Sequence, residues 1–292
     1  MSMGLLEELD VFYRGYAGIK GYIGCTGKGT PIPFFAVEKT EYPVIIAQYA
    51  IHAREHITTR LALKQIERYR RTGKAGTVYF IPAANPDGIK IALLKKPLYK
   101  ANAFGVDLNV NFDARWGTGA KNAFRPSDEN FVGRRPFSEY ETCALRDFTL
   151  KVRPTATVSY HCKGEEIYYE FYQDGERLSR DRAIAEKISQ ATGYPLKTAY
   201  GSAGGYKDWC IEKLKIPSFT IEAGRDELSH PLKRDCLGEI YRKNKDVINV
   251  IVKALLRERE NADAVYGTSD KRSAESLKGG RSAYRRGNSE GR

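Results

Sequence analysis

Short apolar runs alternate with longer amphipathic stretches along most of the chain. The apolar runs are rich in β-branched and aromatic residues and are mostly bounded by turn-forming residues, as is typical of β-strands. These predicted strands are Ile32–Val37, Val44–Gln48, Val78–Pro82, Thr157–Tyr160, Ile167–Phe171 and Ser218–Ile221. Between them, apolar residues recur at helical spacing. The predicted helices are Arg54–Arg70, Ser138–Leu150, Arg177–Ala191, Tyr206–Lys213 and Leu237–Arg257.

This alternation predicts an α/β fold, with a mixed, mainly parallel sheet that helices cover on both faces. The chain has 292 residues, enough for one large domain or two small ones. The element pattern stops near residue 260, and the residues beyond it are rich in Gly, Ser and Arg. We therefore predict one folded domain over residues 1–260 and a flexible basic tail over residues 261–292. Such a tail buries too little apolar area to offset the entropy cost of ordering.

Basic residues exceed acidic ones in both parts of the chain. There are 48 Lys and Arg residues against 36 Asp and Glu, which gives a formal net charge of +12. The segment from residue 266 onward carries seven basic and three acidic residues, so +8 of the charge belongs to the remaining body. A positive balance of this size suits an anionic partner, either a nucleic acid or an acidic peptide.

The sequence carries no signal for export or membrane insertion. No apolar run approaches the roughly 18 residues that a membrane span needs, and the first twelve residues include Glu7, Glu8 and Asp10 rather than a basic segment followed by an apolar one. The five cysteines are scattered and form no Cys-x-x-Cys pair, so we expect neither a disulfide framework nor a thiolate zinc cage. These features lead us to expect a cytoplasmic protein.

Two histidines and a glutamate are candidates for a metal site. His52 and Glu55 follow the predicted strand Val44–Gln48, and residues three apart on a helical turn share a face. His161 ends the predicted strand Thr157–Tyr160, and ligands in open α/β sheets gather beyond the carboxyl ends of strands. Two imidazoles and one carboxylate leave tetrahedral Zn²⁺ with one open position, as in catalytic sites. We predict one zinc ion per chain.

Five short motifs follow one another along the chain. They are His52-x-x-Glu55, Asn85-Pro86-Asp87-Gly88, Gly105-Val106-Asp107-Leu108-Asn109, Ser159-Tyr160-His161 and Phe219-Thr220-Ile221-Glu222. In this order the motifs resemble the zinc carboxypeptidase (carboxypeptidase A-like) family, and the resemblance runs from about Tyr16 to Leu256. Three further segments are most similar to the bacterial γ-D-glutamyl-diaminopimelate peptidases, which cut cell-wall peptides. These segments are Tyr99–Asn102, His161–Tyr168 and Gly205–Trp209.

The resemblance implies a role for each matching residue. It makes His52, Glu55 and His161 the zinc ligands. Asp107 matches the carboxylate that accepts a hydrogen bond from the far nitrogen of the first zinc histidine, a contact that fixes the orientation of the ring. Glu222 matches the general base, which takes a proton from water and delivers it to the departing amine.

Two other matching positions lie around the bound substrate. Tyr200 precedes a Gly-rich segment and matches the mobile tyrosine that closes over the substrate. Lys100 stands where digestive members use an Arg to polarise the scissile carbonyl, and it supplies positive charge to the oxyanion without the guanidinium fork.

The site that grips the substrate carboxylate departs from the family pattern. Family members usually read Asn-Arg-Asn, and that Arg holds the C-terminal carboxylate, whereas this chain reads Asn109-Val110-Asn111. Arg115 follows the altered triplet and is a candidate replacement. Lys207 occupies the position that sets the family's side-chain preference, and a cation there favours an acidic group on the released residue. Together with Asn109, these residues would suit diaminopimelate, which has a carboxylate at each end.

The resemblance therefore implies a zinc-dependent peptidase that hydrolyses an amide bond near the C-terminus of a peptide, with a muropeptide as substrate and no membrane or nucleic-acid partner. Two alternatives remain open. A zinc amidohydrolase that removes acyl groups from small amino acids also uses a His-x-x-Glu motif and a later histidine. A degenerate enzyme fold that binds nucleic acid or another anionic polymer would account for the net charge and for Val110.

Overall fold

The described part of the chain folds around one eight-stranded sheet. The computed structural model describes the backbone of residues 4–282 and the side chains of residues 4–264. The strands are β1 (Lys20–Cys25), β2 (Pro31–Glu38), β3 (Val44–Tyr49), β4 (Thr77–Ile81), β5 (Ala156–His161), β6 (Glu166–Tyr168), β7 (Leu196–Lys197) and β8 (Ser218–Glu222). Their order across the sheet is β1-β2-β4-β3-β5-β8-β6-β7.

The middle of the sheet is parallel and its margins are mixed. Strands β4, β3, β5 and β8 run parallel to one another. Antiparallel pairs join β1 to β2, β2 to β4 and β6 to β8, and β7 runs parallel to β6. Strands β3 and β5 are buried along nearly their whole length, as continuous apolar runs predict for central parallel strands. Their carboxyl ends meet at one edge of the sheet, and the candidate site lies there.

Helices cover both faces of this sheet. They are α1 (Leu5–Gly15), α2 (Ile57–Thr72), α3 (Pro86–Leu94), α4 (Tyr140–Val152), α5 (Gly175–Thr192), α6 (Tyr206–Trp209), α7 (Leu237–Asn244) and α8 (Val247–Ser282). Apolar side chains of α1, α2, α5, α7 and α8 pack on one face in a single core, and those of α4 and α6 contribute to a second core on the other face. The predicted fold class is confirmed.

Helix α3 begins at the motif Asn85-Pro86-Asp87-Gly88, whose composition by itself is typical of a turn. Asn85 Oδ1 accepts a hydrogen bond from the backbone N–H of Gly88 at 3.0 Å, and Pro86 occupies the first helical position. An Asn cap followed by Pro is a strong helix start, because the side chain satisfies a free N–H and the ring presets the backbone. The turn motif is therefore the beginning of a helix.

Other element boundaries also differ from the prediction. The predicted strand Ile167–Phe171 ends at Tyr168, and the predicted helix Leu237–Arg257 is divided between α7 and α8. Strand β1 is not predicted from the sequence. It lies at the sheet margin, is largely exposed and contains two glycines, so it lacks an apolar run.

The predicted domain boundary at residue 260 falls inside α8, whose backbone continues to Ser282. Residues 283–292 lie outside the described residues, so the flexible tail stays a prediction. Within the described part of the chain, no helix combines the length and apolar character needed to span a membrane.

Candidate active site

Three buried side chains converge beyond the carboxyl ends of β3 and β5. His161 is the last residue of β5, while His52 and Glu55 lie on the connection between β3 and α2. His52 Nδ1 lies 2.8 Å from Glu55 Oε1 and 3.0 Å from His161 Nδ1. His161 Nδ1 in turn lies 3.0 Å from Glu55 Oε2. The fold thus brings the three predicted metal ligands together from two separate parts of the chain.

The local backbone places His52 and Glu55 side by side. The predicted helix starts at Arg54, but the long helix α2 begins only at Ile57. His52 precedes a 3₁₀-helix over residues 53–55, and Glu55 ends it. Residues three apart are eclipsed in a 3₁₀-helix, so the tighter winding aligns the two side chains. Thr58 holds the connection in place, because its Oγ1 accepts from the N–H of Ala50 and donates to the carbonyl of Glu55.

The three side chains form a donor set that suits Zn²⁺. Their ligand atoms all lie within 4.8 Å of one another, and two imidazole nitrogens with one carboxylate leave a fourth tetrahedral position open. Burial would raise the pKa of Glu55, but His52 and His161 lower it well below its usual range. The cluster therefore presents a charged carboxylate and two facing nitrogens, whose lone pairs a divalent cation would satisfy.

Asp107 lies behind His52 and is fully buried. Its Oδ1 lies 3.3 Å from His52 Nε2, and the backbone N–H groups of Asn109 and Asn130 donate to the same carboxylate at 3.1 and 3.2 Å. Burial would raise the pKa of Asp107, but Lys100 and His52 hold it well below its usual range. A charged Asp107 keeps the proton of His52 on Nε2 and leaves Nδ1 to face the ligand cluster.

Lys100 lies beside the cluster and is engaged by Asp107. Its Nζ donates to Asp107 Oδ2 at 2.8 Å. Burial would lower the pKa of Lys100, but the Asp107 carboxylate more than offsets this and raises it. Lys100 is therefore a cation at neutral pH, and Asp107 takes only one of the three N–H groups that an ammonium offers.

Glu222 ends β8 directly beside His161. The two residues are paired in register between the parallel strands β5 and β8, so their side chains leave the same face of the sheet. Glu222 Oε2 is shielded from solvent and has no hydrogen-bond partner among the described residues. Burial raises the pKa of Glu222 to about 8. A carboxylate so placed, with an oxygen free of hydrogen bonds, can accept a proton from a reacting group.

A cavity of about 460 Å³ opens beside Glu222. Its lining residues are Asn109, Tyr168, Thr198, Ala199, Tyr200, Ser202, Gly205, Lys207, Asp208, Thr220 and Glu222. Four of these residues, Asn109, Tyr200, Lys207 and Glu222, are predicted site residues. Asn109 Oδ1 accepts from the N–H of Tyr206 at 3.2 Å, and the Tyr200 side chain is 89% exposed. The volume lies in the range of small-molecule sites.

Lys207 lies in this cavity as one half of an ion pair. Its Nζ donates to Asp208 Oδ1 at 2.6 Å and to the backbone carbonyl of Glu170 at 2.8 Å. Both side chains of the pair are only 7% exposed. The sequence predicts a purely positive position here, whereas the structure places a positive and a negative charge together.

Arg115 lies apart from the other predicted substrate-binding residues. Its Nε donates to Glu212 at 3.2 Å, and its guanidinium lies 3.3 Å from the ring centroid of Tyr172. It is not among the residues that line the cavity. The structure therefore does not bring Arg115 together with Asn109 and Lys207.

Sequence reasoning alone misses Asp208. Its Oδ2 accepts from the backbone N–H of Gly205 at 3.0 Å and caps α6, while its Oδ1 contacts Lys207. A signal for the cap is present in the sequence, because an acidic residue three positions after a Gly-rich loop is typical of a helix start. The contact with the preceding lysine has no such signal.

Most of the chain matches one protein family. Residues 20–245 match the family model Peptidase_M14, described as zinc carboxypeptidase. Gamma-D-glutamyl-L-diamino acid endopeptidase 1 of Lysinibacillus sphaericus is 28% identical over 280 residues, which cover 83% of this chain and 69% of that protein. The uncharacterized protein YqgT of Bacillus subtilis is 24% identical over 237 residues, which cover 68% of this chain and 62% of YqgT. The chain thus spans about two thirds of the length of these relatives.

Solved structures show the same fold. Bovine thrombin-activatable fibrinolysis inhibitor, in complex with tick carboxypeptidase inhibitor, superposes with a TM-score of 0.78 at 20% identity and covers 88% of this chain and 98% of its own. The murein-tripeptide amidase MpaA of Escherichia coli O157 superposes with a TM-score of 0.57 at 23% identity, over 83% of this chain and 94% of its own. At these identities the likeness concerns the fold alone.

Proposed function

The chain belongs to the zinc carboxypeptidase family and is a metallopeptidase, and from this premise we propose that it hydrolyses an amide bond near the C-terminus of diaminopimelate-containing cell-wall peptides. The observation that carries this proposal is the convergence of His52, Glu55 and His161 within 3.0 Å beside Glu222. A ligand cluster with a free carboxylate on the adjacent strand supplies what metal-assisted amide hydrolysis uses, a site for the metal ion and a proton acceptor beside it.

In the proposed mechanism, the metal ligands and the base have separate tasks. His52, Glu55 and His161 would hold zinc, and the bound ion would supply Lewis acidity towards a carbonyl oxygen and a water molecule. Asp107 orients His52 through its far ring nitrogen. Glu222 accepts a proton from the attacking water at its partner-free Oε2 and then delivers that proton to the departing amine.

Positive charge beside the ligand cluster completes the proposed site. Lys100 stabilises the oxyanion of the tetrahedral state with an N–H group that Asp107 does not take. Asn109 and Lys207 contact the released residue in the cavity, and Tyr200 closes over its mouth. Arg115 is proposed to act only on the part of the substrate outside the cavity, since Glu212 and Tyr172 hold it there.

The test is a comparison of two peptides with and without a chelator. The protein is incubated with L-Ala-γ-D-Glu-diaminopimelate and with a plain tripeptide of L-residues, and the products are identified by mass. Release of diaminopimelate that stops with chelator and returns with zinc is the expected result. Cleavage of the plain tripeptide alone would overturn the proposed cell-wall substrate but not the peptidase activity.

Two further measurements, with N-acyl amino acids and with DNA, separate the two alternatives. Hydrolysis of N-acyl amino acids but not of peptides would make the protein an amidohydrolase. Steeply salt-dependent DNA binding without any zinc-dependent hydrolysis would make it a binder of anionic polymers.

A further inference from the structure

The ion pair in the cavity retains capacity for hydrogen bonds to a ligand. Lys207 has three N–H groups, of which Asp208 and the Glu170 carbonyl take two. The Asp208 carboxylate has about four acceptor places, of which Lys207 and the Gly205 N–H take two. Both residues line the cavity that Glu222 also lines. One donor and two acceptor places therefore remain on two adjacent residues that line the cavity.

The charges around the pair restrict what this part of the cavity can bind. Among the described residues that line the cavity, Lys207 is the only cation, and Asp208 and Glu222 are the carboxylates. A ligand with a carboxylate alone would approach Lys207 but face the like charge of Asp208. A ligand with an ammonium alone would face Lys207 in the same way. Either ligand would leave one member of a buried pair opposed by like charge, which is costly where water is excluded.

A ligand group that carries both charges avoids this cost. An ammonium and a carboxylate on the same carbon are separated by a distance similar to that between Lys207 Nζ and Asp208 Oδ1, so each charge can face its opposite. The resulting four charges alternate in sign, and none is left unpaired. Repulsion then rejects ligands with a single charge, and attraction favours ligands that carry both charges.

We propose that the Lys207–Asp208 pair selects substrates whose released residue ends in a zwitterionic amino-acid head group. The ligand carboxylate accepts from the free N–H of Lys207, and the ligand ammonium donates to the Asp208 carboxylate. Asp208 is thereby a specificity residue for the side chain, in addition to its capping of α6. The inference rests on the proposed function, because it takes the cavity as the place of the released residue.

Four substrates of matched length test the proposal on the zinc-loaded enzyme. Each is L-Ala-γ-D-Glu-X, where X is meso-diaminopimelate, lysine, 2-aminopimelate or 2-aminoheptanoate. The X side chains end in a zwitterion, an ammonium, a carboxylate and a methyl group, respectively. We expect kcat/KM to be at least tenfold higher for diaminopimelate than for each of the others. Values within threefold for all four substrates would overturn the proposal.

Two substitutions at the pair should change the preference in opposite directions. Asp208→Asn keeps an acceptor for Gly205 but leaves Lys207 as an uncompensated cation, so 2-aminopimelate should become the best substrate. Lys207→Met leaves Asp208 uncompensated, so the lysine peptide should become the best. Lys213→Met, five positions beyond the pair and facing Asp113 and Glu212, should leave the order unchanged. If both cavity variants lower all four rates equally, the pair is structural and the proposal is wrong.

A binding measurement separates failure of this inference from failure of the proposed function. Nα-Acetyl-lysine and meso-diaminopimelate acetylated at the amino group of its L-centre are titrated calorimetrically into the zinc-loaded protein. The acetyl group leaves a zwitterion only at the side-chain end of the diaminopimelate ligand, which should bind at least tenfold tighter than the lysine ligand. Peptide cleavage without this difference in affinity would overturn the inference but not the proposed peptidase function. Absence of cleavage of all four peptides, together with hydrolysis of an N-acyl amino acid, would instead overturn the proposed function.

Discussion

Asp107 and Glu222 are carboxylates on two sides of the same ligand cluster, yet their pKa values move in opposite directions. Burial favours the neutral form of both. At Asp107 the neighbouring Lys100 and His52 outweigh burial and keep the group charged. At Glu222 the attraction of His161 is too small to do so, and the pKa rises to about 8. Asp107 is thus a fixed charge, whereas Glu222 can gain and lose a proton near neutral pH, as a general base must.

Replacement of this base gives the first prediction. Glu222→Gln keeps the size of the side chain but removes the proton acceptor, so kcat should fall by about 10²–10⁴-fold. Zinc content should be unchanged, because Glu222 is not one of the proposed ligands. Steady-state kinetics and metal analysis of the same preparation measure both quantities.

Glu166→Gln is the matched control for this variant. Glu166 pairs in register with Glu222 between β6 and β8, so it tests the loss of a carboxylate from the same ladder. Its kcat should be little changed. Retention of more than a tenth of the activity by Glu222→Gln would show that another group takes the proton.

Another buried carboxyl, that of Glu141, is not among the residues of the active site. Asn102 Nδ2 is 3.4 Å from its Oε2, and its Oε1 has no partner among the described residues. Burial is the main reason that its pKa rises from 4.5 to about 7, and the charges of Glu139 and Asp87 add to the rise. Glu141 lies in the first turn of α4, whose N-cap position is Glu139; the Glu139 side chain makes no capping hydrogen bond.

The raised pKa of Glu141 predicts a pH-dependent stability. Below pH 4.5 the group is protonated in both the folded and the unfolded chain. Between pH 4.5 and 7 only the unfolded chain loses the proton, so the free energy of unfolding falls by up to about 3 kcal/mol. Glu141→Gln removes this loss and should be more stable than the parent at pH 8, with little difference at pH 4.5.

Urea unfolding at the two pH values checks this expectation. Glu67→Gln is the control, since Glu67 is about half exposed and pairs with Arg70 on the surface of α2. We expect the free energy of unfolding of the control variant to match that of the parent at both pH values. If the free energy of unfolding of Glu141→Gln also matches that of the parent at both pH values, the Glu141 carboxyl is solvated in the folded protein.

At the residue scale, the sequence predicts the ligand cluster well and the substrate contacts poorly. His52, Glu55 and His161 lie at the ends of strongly apolar strands, where the fold class alone constrains their position. The contacts of Lys207 and Arg115 depend on Asp208 and Glu212, and side-chain pairing of this kind leaves no periodic signal in the sequence.

Among the elements, α3 has a start that supports the ligand cluster of the active site. The Asn85 side chain caps α3 and also donates to the carbonyls of Ile51 and Ala101, at 3.1 Å each. These carbonyls belong to the residues beside His52 and Lys100. One buried amide therefore joins the helix start to both segments that carry the site.

Loss of this amide should weaken both the fold and the metal site. Asn85→Ala removes a helix cap and leaves two buried carbonyls unpaired, so we expect a loss of about 2–4 kcal/mol in the free energy of unfolding. Zinc affinity should also fall, as measured by competition with a chelating dye. Thr72→Ala, which removes a hydroxyl at the end of α2, should lower stability less and leave zinc affinity unchanged.

Element prediction succeeds where the elements are buried on both sides or amphipathic. The six predicted strands correspond to β2, β3, β4, β5, β6 and β8, because the sheet interior demands apolar runs. The missing strands β1 and β7 lie at the two margins of the sheet, where one edge is unpaired and fewer apolar residues are needed. Helix α3 is not predicted from the sequence because the residues at its start are also typical of turns.

For the whole molecule, the ligand cluster should couple metal binding to stability. The three side chains come from segments that only the folded sheet brings together, so the folded chain should bind zinc much more tightly than the unfolded chain. Zinc at about 1,000 times its Kd would then stabilise the fold by about 4 kcal/mol. Chelation should lower the thermal midpoint by several degrees. His161→Ala should abolish this response, and an unchanged midpoint after verified zinc removal would contradict it.

The alignment of β8 against β5 has a practical consequence for preparations of this enzyme. The ligand cluster is built from β5 and the segment after β3, whereas Glu222 depends on β8 alone. A slip of β8 by one position would turn Glu222 to the opposite face and leave the cluster intact. Such misassembled molecules would carry a full complement of zinc and yet be inert. Metal analysis is therefore an insufficient quality check on refolded material, and specific activity per bound zinc would report the fraction of correctly aligned chains.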